Sequence, residues 1–595
     1  MGRLCARGWG AHEAALWGNR STQPMINRNG RLGPASWGEA LDYVVGRLRK
    51  LLADGKPVGV LGSARATNEE NYLAGKLARA GLGTNNLDFS YHSFCRPMFA
   101  GLEDVCGEFA PSVRLKDVES SEAILLLEGD VARSHPRAAS AVMRAVEKGA
   151  RLITVGCIST QMTRLASLHL PAMPGNEGEV LDALLAAVVT LELPGRTSAA
   201  PHSEGLDALR RDTASARITE EVRQAAAWFA RAGRAVILAA PTNGQGDQGR
   251  RAIAALATLA AITGHLGKPG SGLLPLLARC NVRGACDMGV APDRLPGYEP
   301  MDSTQARLRL QNLWGRDLPS KPGLDAESLV QSVSGLICVA DDPPAVLPMG
   351  ERATAALAKI EFLVVLDSFL TPTAKMAHVL LPIASYAETE GTFTNLEGMV
   401  QRLRAACKPP GEARSGWQVL AELCRRFGLE DSYHSAQDVL GDCGNAANGQ
   451  YSSLIGTPGE RQAEDSSPTK CHLHGASASP LTTPERPYVL ARDGSYDWGL
   501  DPLVMNSPTL NRDFLSLQKL FPNGFVEIGK HDADRLGVHG GRRLKLSSTH
   551  GDAVVPARVR PDLQPGVVLV PYAFRDRVAN VLGADGVAAV SVEQA

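Results

Sequence analysis

Two hydrophobic patterns alternate along most of the chain. Between residues 57 and 428, short runs of apolar and β-branched residues are followed by longer stretches in which apolar residues recur every three or four positions. The short runs are typical of buried strands, and the longer periodic stretches are typical of helices. The alternation therefore predicts an α/β fold with two parallel sheets. The predicted strands are residues 58–60, 123–127, 152–155, 235–239, 336–339 and 362–366, and the clearest predicted helices are residues 68–80, 138–148 and 353–359.

The pattern changes after residue 430. Residues 431–485 are rich in Ser, Gly, Asn, Thr and Pro with almost no apolar rhythm, which is typical of a linker or a long surface excursion. In residues 486–595, strand-like runs return between turns that contain Gly and Pro, so a small β-barrel is predicted there. The predicted barrel strands include residues 488–490, 543–547, 553–559 and 567–570.

Length, charge and cysteine content narrow the function classes. The chain has 595 residues, which predicts several domains because a single hydrophobic core does not grow to that size. It carries 62 basic and 63 acidic residues, so no polyanionic partner such as nucleic acid is indicated. No apolar run is long enough for a membrane span, and no signal peptide is visible after Met1. The 11 cysteines are dispersed without a CxxC pair, which favours a reducing compartment and predicts a cytoplasmic location.

One polar, glycine-containing segment has neither a helix nor a strand period. It covers residues 281–289 (NVRGACDMG) and continues to Pro296, Gly297 and Tyr298. Loops of this kind present backbone groups and side chains to ligands. The segment closely resembles the signature loop of the bis-molybdopterin oxidoreductases, in the branch of formate dehydrogenase alpha subunits and the G subunit of NADH:quinone oxidoreductase. The resemblance covers nearly the whole chain, and it implies a molybdopterin guanine dinucleotide cofactor with molybdenum or tungsten.

The resemblance also assigns the predicted domains, and it implies that family's multidomain fold. The part of the iron–sulfur domain that would precede Met1 is expected to be missing. The assigned domains are residues 1–55 as a remnant of the N-terminal iron–sulfur domain, 56–110 with 331–430 as a discontinuous pterin-binding α/β domain, 111–330 as a second α/β domain, 431–485 as a linker, and 486–595 as a dinucleotide-binding-type β-barrel.

The first cysteine lies in residues 4–8 (LCARG), which resemble the family's Leu-Cys-x-Lys-Gly. In that motif the Cys is the last ligand of a [4Fe–4S] cluster, so the resemblance implies a metal-ligand role for Cys5. Arg7 replaces the lysine that lies between cluster and pterin. Because such a cluster is held by four thiolates, it is predicted only if the other ligands come from a missing segment or a partner chain. The alternative is that Cys5 is a terminal thiol without metal.

Residues 66–72 (ATNEENY) and 84–88 (TNNLD) resemble the segment that leads to the family's metal ligand. Without a gap, the metal-binding Cys or selenocysteine falls on Phe94, and the following histidine falls on Cys95. Phenylalanine has no donor atom, so Cys95 is the candidate catalytic residue and metal ligand if the loop slips by one residue. Otherwise it is a structural thiol. The family's formate-binding arginine falls on Leu277, which cannot form the bidentate pair of a guanidinium with a carboxylate.

Other segments are similar to the family's dinucleotide-binding loops. Residues 174–177 (PGNE) resemble a Pro-Gly-Thr-Asp turn whose carboxylate pairs with guanine. In contrast, the additional carboxylates of residues 128–131 (EGDV) and 340–343 (ADDP) oppose a pyrophosphate by like-charge repulsion. Residues 395–398 (NLEG) are more similar to the G subunit than to formate dehydrogenases. The resemblance assigns cofactor contacts to Glu177, Asn281, Gly284, Asp287, Asp367, Thr371, Asn395 and Asn580.

Two functions are compatible with this resemblance. The first is an electron-transfer subunit like the G subunit, with an eroded formate dehydrogenase-type site and partners among iron–sulfur or NADH-dehydrogenase-type redox subunits. It could lie at the inner membrane through such a complex. The second is an active molybdenum or tungsten enzyme that oxidises formate to carbon dioxide, with Cys95 on the metal and Arg279 or Arg283 replacing the missing arginine. A partner-binding scaffold without a redox role is a third alternative.

Overall fold

The structure, a computed structural model, describes most of the chain. The described residues are 8, 11–12, 19–107, 113–127, 129–190, 205–240, 246–277, 279–430, 432–448, 471–476, 481–493, 521–539, 541–583 and 586–595. The strands are β1 (Met25–Arg28), β2 (Arg31–Pro34), β3 (Val58–Leu61), β4 (Leu87–Asp88), β5 (Ala123–Leu127), β6 (Arg151–Gly156), β7 (Leu168–Pro171), β8 (Ala235–Ala239), β9 (Gly272–Pro275), β10 (Arg294–Leu295), β11 (Glu299–Pro300), β12 (Gly335–Val339), β13 (Phe362–Asp367), β14 (Val379–Pro382), β15 (Gly391–Thr394), β16 (Val400–Leu403), β17 (Tyr488–Asp493), β18 (Val526–Gly529), β19 (Arg543–Ser547), β20 (Asp552–Arg560), β21 (Val567–Pro571) and β22 (Val587–Gln594).

Helices connect and cover these strands. The π-helical turn Leu77–Gly81 continues α2, and Tyr572–Val578 is a 3₁₀ segment. The helices are α1 (Trp37–Ala53), α2 (Asn68–Lys76), α3 (His92–Cys106), α4 (Leu115–Val118), α5 (Val131–Ser134), α6 (Pro136–Glu147), α7 (Gln161–Leu165), α8 (Gly178–Thr190), α9 (Leu206–Asp212), α10 (Glu220–Arg231), α11 (Gly246–Ile262), α12 (Val282–Asp287), α13 (Thr304–Trp314), α14 (Ala326–Ser332), α15 (Pro343–Val346), α16 (Glu351–Leu357), α17 (Pro372–Met376), α18 (Gly416–Arg426), α19 (Ala436–Ala446) and α20 (Lys530–Leu536).

The first sheet has seven strands in the order β2-β1-β14-β13-β12-β3-β4. The strands from β14 to β4 are parallel, whereas β1 runs antiparallel to both β14 and β2. The central strands β3, β12 and β13 are buried along their whole length. This burial explains their continuous apolar sequence, because helices cover both faces of a parallel sheet.

The second sheet is entirely parallel, in the order β7-β6-β5-β8-β9. It forms between β4 and β12, so the chain leaves the first sheet, completes the second and then returns. A six-stranded closed barrel, in the order β17-β21-β18-β20-β19-β22, follows at the C-terminal end. The predicted architecture of two parallel-sheet units and a C-terminal barrel is confirmed.

Two further segments also pack onto these units. Strands β1 and β2 join the first sheet, and α1 buries Leu41, Val44 and Leu48, so residues 25–53 are part of that unit's packing. Within the predicted linker, α19 forms and buries Val439 and Leu440. Its start carries a capping box, in which Ser435 and Asp438 satisfy each other's backbone N–H groups. The short helix was not predicted because Val439 and Leu440 are the only large aliphatic residues in its sequence.

Within the described residues, none of the helices has both the length and the apolar character that crossing a membrane requires.

Candidate functional site

Asn281 joins the end of the second sheet to the first sheet. Its backbone N–H donates to Ala64 O at 3.0 Å, and its Nδ2 donates to Ala66 O at 2.7 Å, both in the loop after β3. Its Oδ1 accepts a hydrogen bond from Thr394 N of β15 at 2.8 Å. In parallel α/β sheets ligands bind where strand ends meet loops, so Asn281 lies at the place where a ligand site is expected.

Gly284 and Asp287 lie on the same short helix, α12. A Cβ at Gly284 would overlap the Oδ1 atoms of both Asn68 and Asn281, so the close approach of these side chains requires glycine. Asp287 is buried and accepts from Arg283 Nε at 2.7 Å. Because Arg283 is held in this buried pair, it is poorly placed to replace a substrate-binding arginine.

The first turn of α2 completes this region. Asn68 Nδ2 donates to the Oγ1 atoms of Thr392 and Thr394, each at 3.0 Å. The carboxylate of Glu69 accepts from Thr392 N at 2.8 Å and from Thr392 Oγ1 at 2.9 Å. Burial raises the pKa of Glu69 to about 7, although the bonds from Thr392 act in the opposite direction. We call α12, the first turn of α2, Asn281 and β15 the signature core.

The predicted metal position lies in a second region, residues 88–96, which runs from the end of β4 through a turn into the start of α3 and which we call the metal-position loop. The Phe94 ring stacks on Tyr91 with ring centres 5.0 Å apart. Cys95 is fully buried in the hydrophobic core, and its thiol donates to His92 O at 3.5 Å. Burial and the hydrogen bond with Cys95 raise the pKa of the Cys286 thiol well above its usual value. The side chain of Cys95 is therefore paired with a core thiol.

The packing gives a metal-ligand role for Cys95 no support, and that role stays a prediction. Among the residues that the structure describes, no group of three or more His, Cys, Asp or Glu residues could hold a metal ion. Cys5 and Arg7 lie outside the described residues.

The position predicted for the substrate arginine is apolar and enclosed. Leu277 is buried, and its carbonyl oxygen lies 3.0 Å from His135 Nε2. Two residues later, Arg279 has a left-handed φ of 75°, which is strained for a side chain of this size. The Arg279 guanidinium lies 5.1 Å from the ring centre of Tyr91. Arg279, Tyr91 and Phe94 thus form one cation–aromatic stack beside the metal position.

An Asp–His pair in the same loop was not predicted from the sequence. His92 Nδ1 lies 2.7 Å from Asp88 Oδ1, and Asp88 Oδ2 accepts from Ala326 N at 2.8 Å. Burial lowers the pKa of His92, but the Asp88 carboxylate more than compensates, so the pKa is raised overall. Within the described part of the chain, the buried atoms His92 Nε2 and Ser90 Oγ have no hydrogen-bond partner. Buried polar atoms of this kind call for a bound ligand or water.

Carboxylates at the edge of the first sheet are bonded to nearby donors. Asp342 Oδ1 accepts from Thr373 Oγ1 at 2.5 Å and from its N–H at 3.2 Å. Asp367 Oδ1 accepts from the N–H two residues later at 3.0 Å. Thr371 Oγ1 accepts from the N–H three residues later at 3.1 Å and caps α17. Asp367 and Thr371 therefore shape their own loop, and their predicted cofactor contacts remain predictions.

The three remaining predicted cofactor residues are spread over separate elements. Glu177 is buried and closes its turn by accepting from Gly175 N at 2.8 Å. Asn395 Oδ1 accepts from the N–H groups two and four residues later, at 2.9 and 3.0 Å, and so shapes the turn between β15 and β16. Asn580 is exposed next to the barrel. The structure thus brings Asn281, Gly284 and Asp287 together near the hairpin of Asn395, and these local bonds leave the predicted cofactor roles open.

Comparison with known proteins gives a consistent family assignment. The family model described as "Molybdopterin oxidoreductase" matches residues 20–426, and the one described as "Molydopterin dinucleotide binding domain" matches residues 504–594. The chain is 29% identical to the F420-dependent formate dehydrogenase 1 subunit alpha of Methanococcus maripaludis, over 98% of this chain and 90% of that protein. It is 31% identical to the NADPH-Fe(3+) oxidoreductase subunit alpha of Geobacter sulfurreducens, over 100% of this chain and 70% of that protein.

The fold is similar to that of a solved structure. Acetylene hydratase from Pelobacter acetylenicus superposes with a TM-score of 0.72 at 16% identity, over 100% of this chain and 94% of that chain. At this identity the likeness concerns the fold alone.

Proposed function

The chain belongs to the molybdopterin oxidoreductase family, and we propose that it is an electron-transferring subunit of a multi-subunit oxidoreductase, without formate turnover of its own. In this role it is most like the G subunit of NADH:quinone oxidoreductase. Its partners would be iron–sulfur or NADH-dehydrogenase-type redox subunits. The names of two relatives support the part about partners, because each is called a subunit alpha.

The observation that carries the proposal is the loss of donor groups at two chemical positions. Phe94 has no atom that could coordinate a metal, and its ring is held in the stack with Tyr91. Leu277 offers no charge to a carboxylate, and it is buried. Cys95, the nearest thiol, hydrogen-bonds with Cys286 in the core. A formate-oxidising site would need these groups, because a carboxylate substrate is oriented by a guanidinium and the metal is tuned by its ligands.

The residues of the metal-position loop fit a bound pterin better than a protein–metal bond. His92 Nε2 and Ser90 Oγ are buried polar atoms without a partner among the described residues. The heterocycle of a pterin carries the donors and acceptors that such atoms require. When bound, a molybdopterin dinucleotide would supply a metal centre for electron transfer, and the chain's own contribution would be to bind and enclose it.

The alternative is an active formate dehydrogenase-like catalytic subunit with molybdenum or tungsten. The name of the Methanococcus relative favours it. In that case Cys95 would have to leave its contact with Cys286, and Arg279 would have to leave Tyr91 to bind formate.

Measurements of cofactor content and of formate oxidation together distinguish the electron-transferring subunit from the active formate dehydrogenase-like subunit. The full chain is purified from a host that makes the cofactor, and its molybdenum, tungsten and pterin are quantified. We expect pterin to be present, no formate-dependent reduction of a viologen dye, and reduction by NADH or NADPH when a partner redox subunit is added. Phe94→Cys/Leu277→Arg, which restores a thiol and a guanidinium, is the matched variant, and Cys95→Ala tests the remaining thiol.

Formate oxidation by the wild-type chain that is lost in Cys95→Ala would overturn the proposal in favour of the active enzyme. Absence of pterin, metal and electron transfer in every preparation would overturn it in favour of a scaffold without a redox role.

A further inference from the structure

Helix α2 is unusual because all nine of its residues are buried, including several that are polar or charged. On a helix, residues three, four and seven positions apart share one face. Glu69, Tyr72 and Lys76 therefore form a continuous stripe of proton-bearing side chains. The contacts of Tyr72 and Lys76 place this stripe against α19, where an apolar stripe would be expected.

The outer end of the stripe is a hydrogen-bonded cluster around Asp442. Its Oδ2 accepts from Tyr72 OH at 2.7 Å, from Tyr433 OH at 2.5 Å and from Lys76 Nζ at 3.1 Å. The Asp442 side chain is 16% exposed, whereas that of Lys76 is 2% exposed. The cluster thus reaches solvent through Asp442 and the half-buried Tyr433.

Cys443 interacts electrostatically with both this cluster and Glu69. Its thiol is buried, and burial and the charges of Glu69 and Asp442 raise its pKa well above the usual value, while Lys76 acts in the opposite direction. The Cys443 thiol therefore interacts electrostatically with Glu69, at the inner end of the stripe, and with Asp442, at its outer end. Since Cys443 follows Asp442 directly on α19, the two helices face each other with protonatable groups on both sides.

The inner end lies in the signature core. Both oxygens of Glu69 are bonded to Thr392, and Thr394 of the same strand donates to Asn281. Glu69 is 1% exposed, and its carboxylate accepts hydrogen bonds from both the N–H and the hydroxyl of Thr392.

We propose that Glu69 is a proton-exchanging group of the site, and that it exchanges its proton with solvent along the face of α19 that carries Cys443, Asp442 and Tyr433. When a proton leaves, the O–H bond of the Glu69 carboxyl breaks and an O–H bond forms on the Asp442 carboxylate, with the Cys443 thiol or a water accepting one proton and giving up another between them. The proton then passes to solvent, and no electrons are transferred. The use of the path in electron transfer rests on the proposed function, because a proton taken up near the signature core would balance the charge of an electron that enters there.

The charges around Glu69 are compatible with exchange near neutral pH. The pKa of Glu69 is raised to about 7, first by burial and further by the neighbouring Glu70 carboxylate, while the hydrogen bonds from Thr392 lower it. Glu70 is itself engaged in the capping box of α2 with Thr67. On α19, Cys443 is the group that interacts electrostatically with Glu69, and Asp442 is its neighbour in sequence. Strand β15 offers only the uncharged Thr392.

Infrared difference spectroscopy on the full chain tests the path without requiring activity. We expect a protonated-carboxyl band that titrates near neutral pH, disappears in Glu69→Gln and remains in Glu70→Gln. After transfer to heavy water, the band shifts as the carboxyl exchanges. In Asp442→Asn this exchange should slow by about tenfold, because it then has to wait for local opening of the fold.

Since Asp442→Asn leaves the buried Lys76 without its ion pair and could unfold the chain, Lys76→Met/Asp442→Asn is the second variant. It removes both charges and should show the same slow exchange. The control is Asp247→Asn/Arg251→Met, which also removes one acidic and one basic side chain, here an exposed pair within α11, and should leave the exchange rate unchanged.

The proposed path would be contradicted if the carboxyl proton exchanged at the same rate in the wild type and in Lys76→Met/Asp442→Asn. It would also be contradicted if no carboxyl band depended on Glu69. If the band and its exchange behave as expected but the chain transfers no electrons with any partner, the proposed function fails while the path stands.

Discussion

The signature core and the metal-position loop lie near each other but are built on different principles. In the signature core, Asn281 bonds to the loop after β3 and to β15, and Glu69 bonds to Thr392. In the metal-position loop, an aromatic stack lies at the predicted metal position, and His92 Nε2 is left without a partner among the described residues. We infer that the residues of the signature core are constrained because their contacts hold the two sheets together. The residues of the metal-position loop can change without loss of the fold.

The largest effect is expected in the signature core. Asn281→Leu removes the bonds to Ala66 O and Thr394 N inside the protein, and should lower the free energy of unfolding by about 4 kcal/mol, because buried groups lose their partners. Denaturant unfolding measures this change. As a control, Asn27→Ala, which removes an exposed bond to Gly30 N, should cost about 1 kcal/mol or less. Equal losses in the two variants would show that Asn281 does not hold the sheets together.

Glu69 should make the signature core sensitive to pH. Its pKa is raised to about 7 in the folded chain, so between about pH 4.5 and 7 the folded state binds more protons than the unfolded state. The contribution of Glu69 to stability is therefore complete at low pH and is lost as the pH rises, by about 3 kcal/mol in total. The difference in unfolding free energy between wild type and Glu69→Gln should fall across this window, as followed by urea titrations at several pH values. A difference that is constant with pH would contradict the assignment.

In the metal-position loop, the Asp–His pair should matter less. Asp88→Asn weakens the contact with His92 Nδ1 and the bond from Ala326 N, and should cost about 2 kcal/mol of unfolding free energy, as is typical for hydrogen bonds to a charged group. Thermal unfolding measures the loss. Asp325→Asn, on an exposed cap of α14, is the matched control and should cost well under about 1 kcal/mol, because Asn caps a helix about as well as Asp. If both variants lose the same amount, the pair has no special role in the loop.

The smallest effect is expected for the aromatic stack itself. Phe94→Leu keeps an apolar side chain but removes the ring contact with Tyr91, and should cost about 1 kcal/mol. Chemical unfolding measures the loss, and the Tyr91→Leu variant and the double variant complete a double-mutant cycle. A coupling energy near zero would mean that the rings of Tyr91 and Phe94 do not stabilise each other. The aromatic stack would then no longer distinguish the metal-position loop from the signature core.

Much of the fold could be predicted because it depends on local sequence. The apolar runs at residues 58–60 and 362–366 match β3 and β13, since a buried parallel strand needs only a short continuous apolar segment. The helix predicted at residues 68–80 contains α2, because its apolar residues recur at a helical period. Helix α19 was missed because its buried face carries Val439, Leu440 and Cys443 in an otherwise polar sequence.

The site was less predictable. Asn281 and Gly284 were recognised as important, but their contacts with each other and with Asn68 follow from the crossing of two sheets. The Asp88–His92 pair has no sequence signature, because Asp88 ends a strand and His92 begins a helix. Only the turn between them places the carboxylate 2.7 Å from the imidazole.

By itself, the sequence determined the family, the two parallel sheets and the barrel, because motifs and hydrophobic periods are local properties of a chain. The tertiary structure alone decided that the thiol of Cys95 is paired with Cys286, and that Lys76 pairs with Asp442 across 366 positions of sequence. Such contacts depend on side-chain direction and on the approach of distant segments, which packing fixes only when the whole chain has folded.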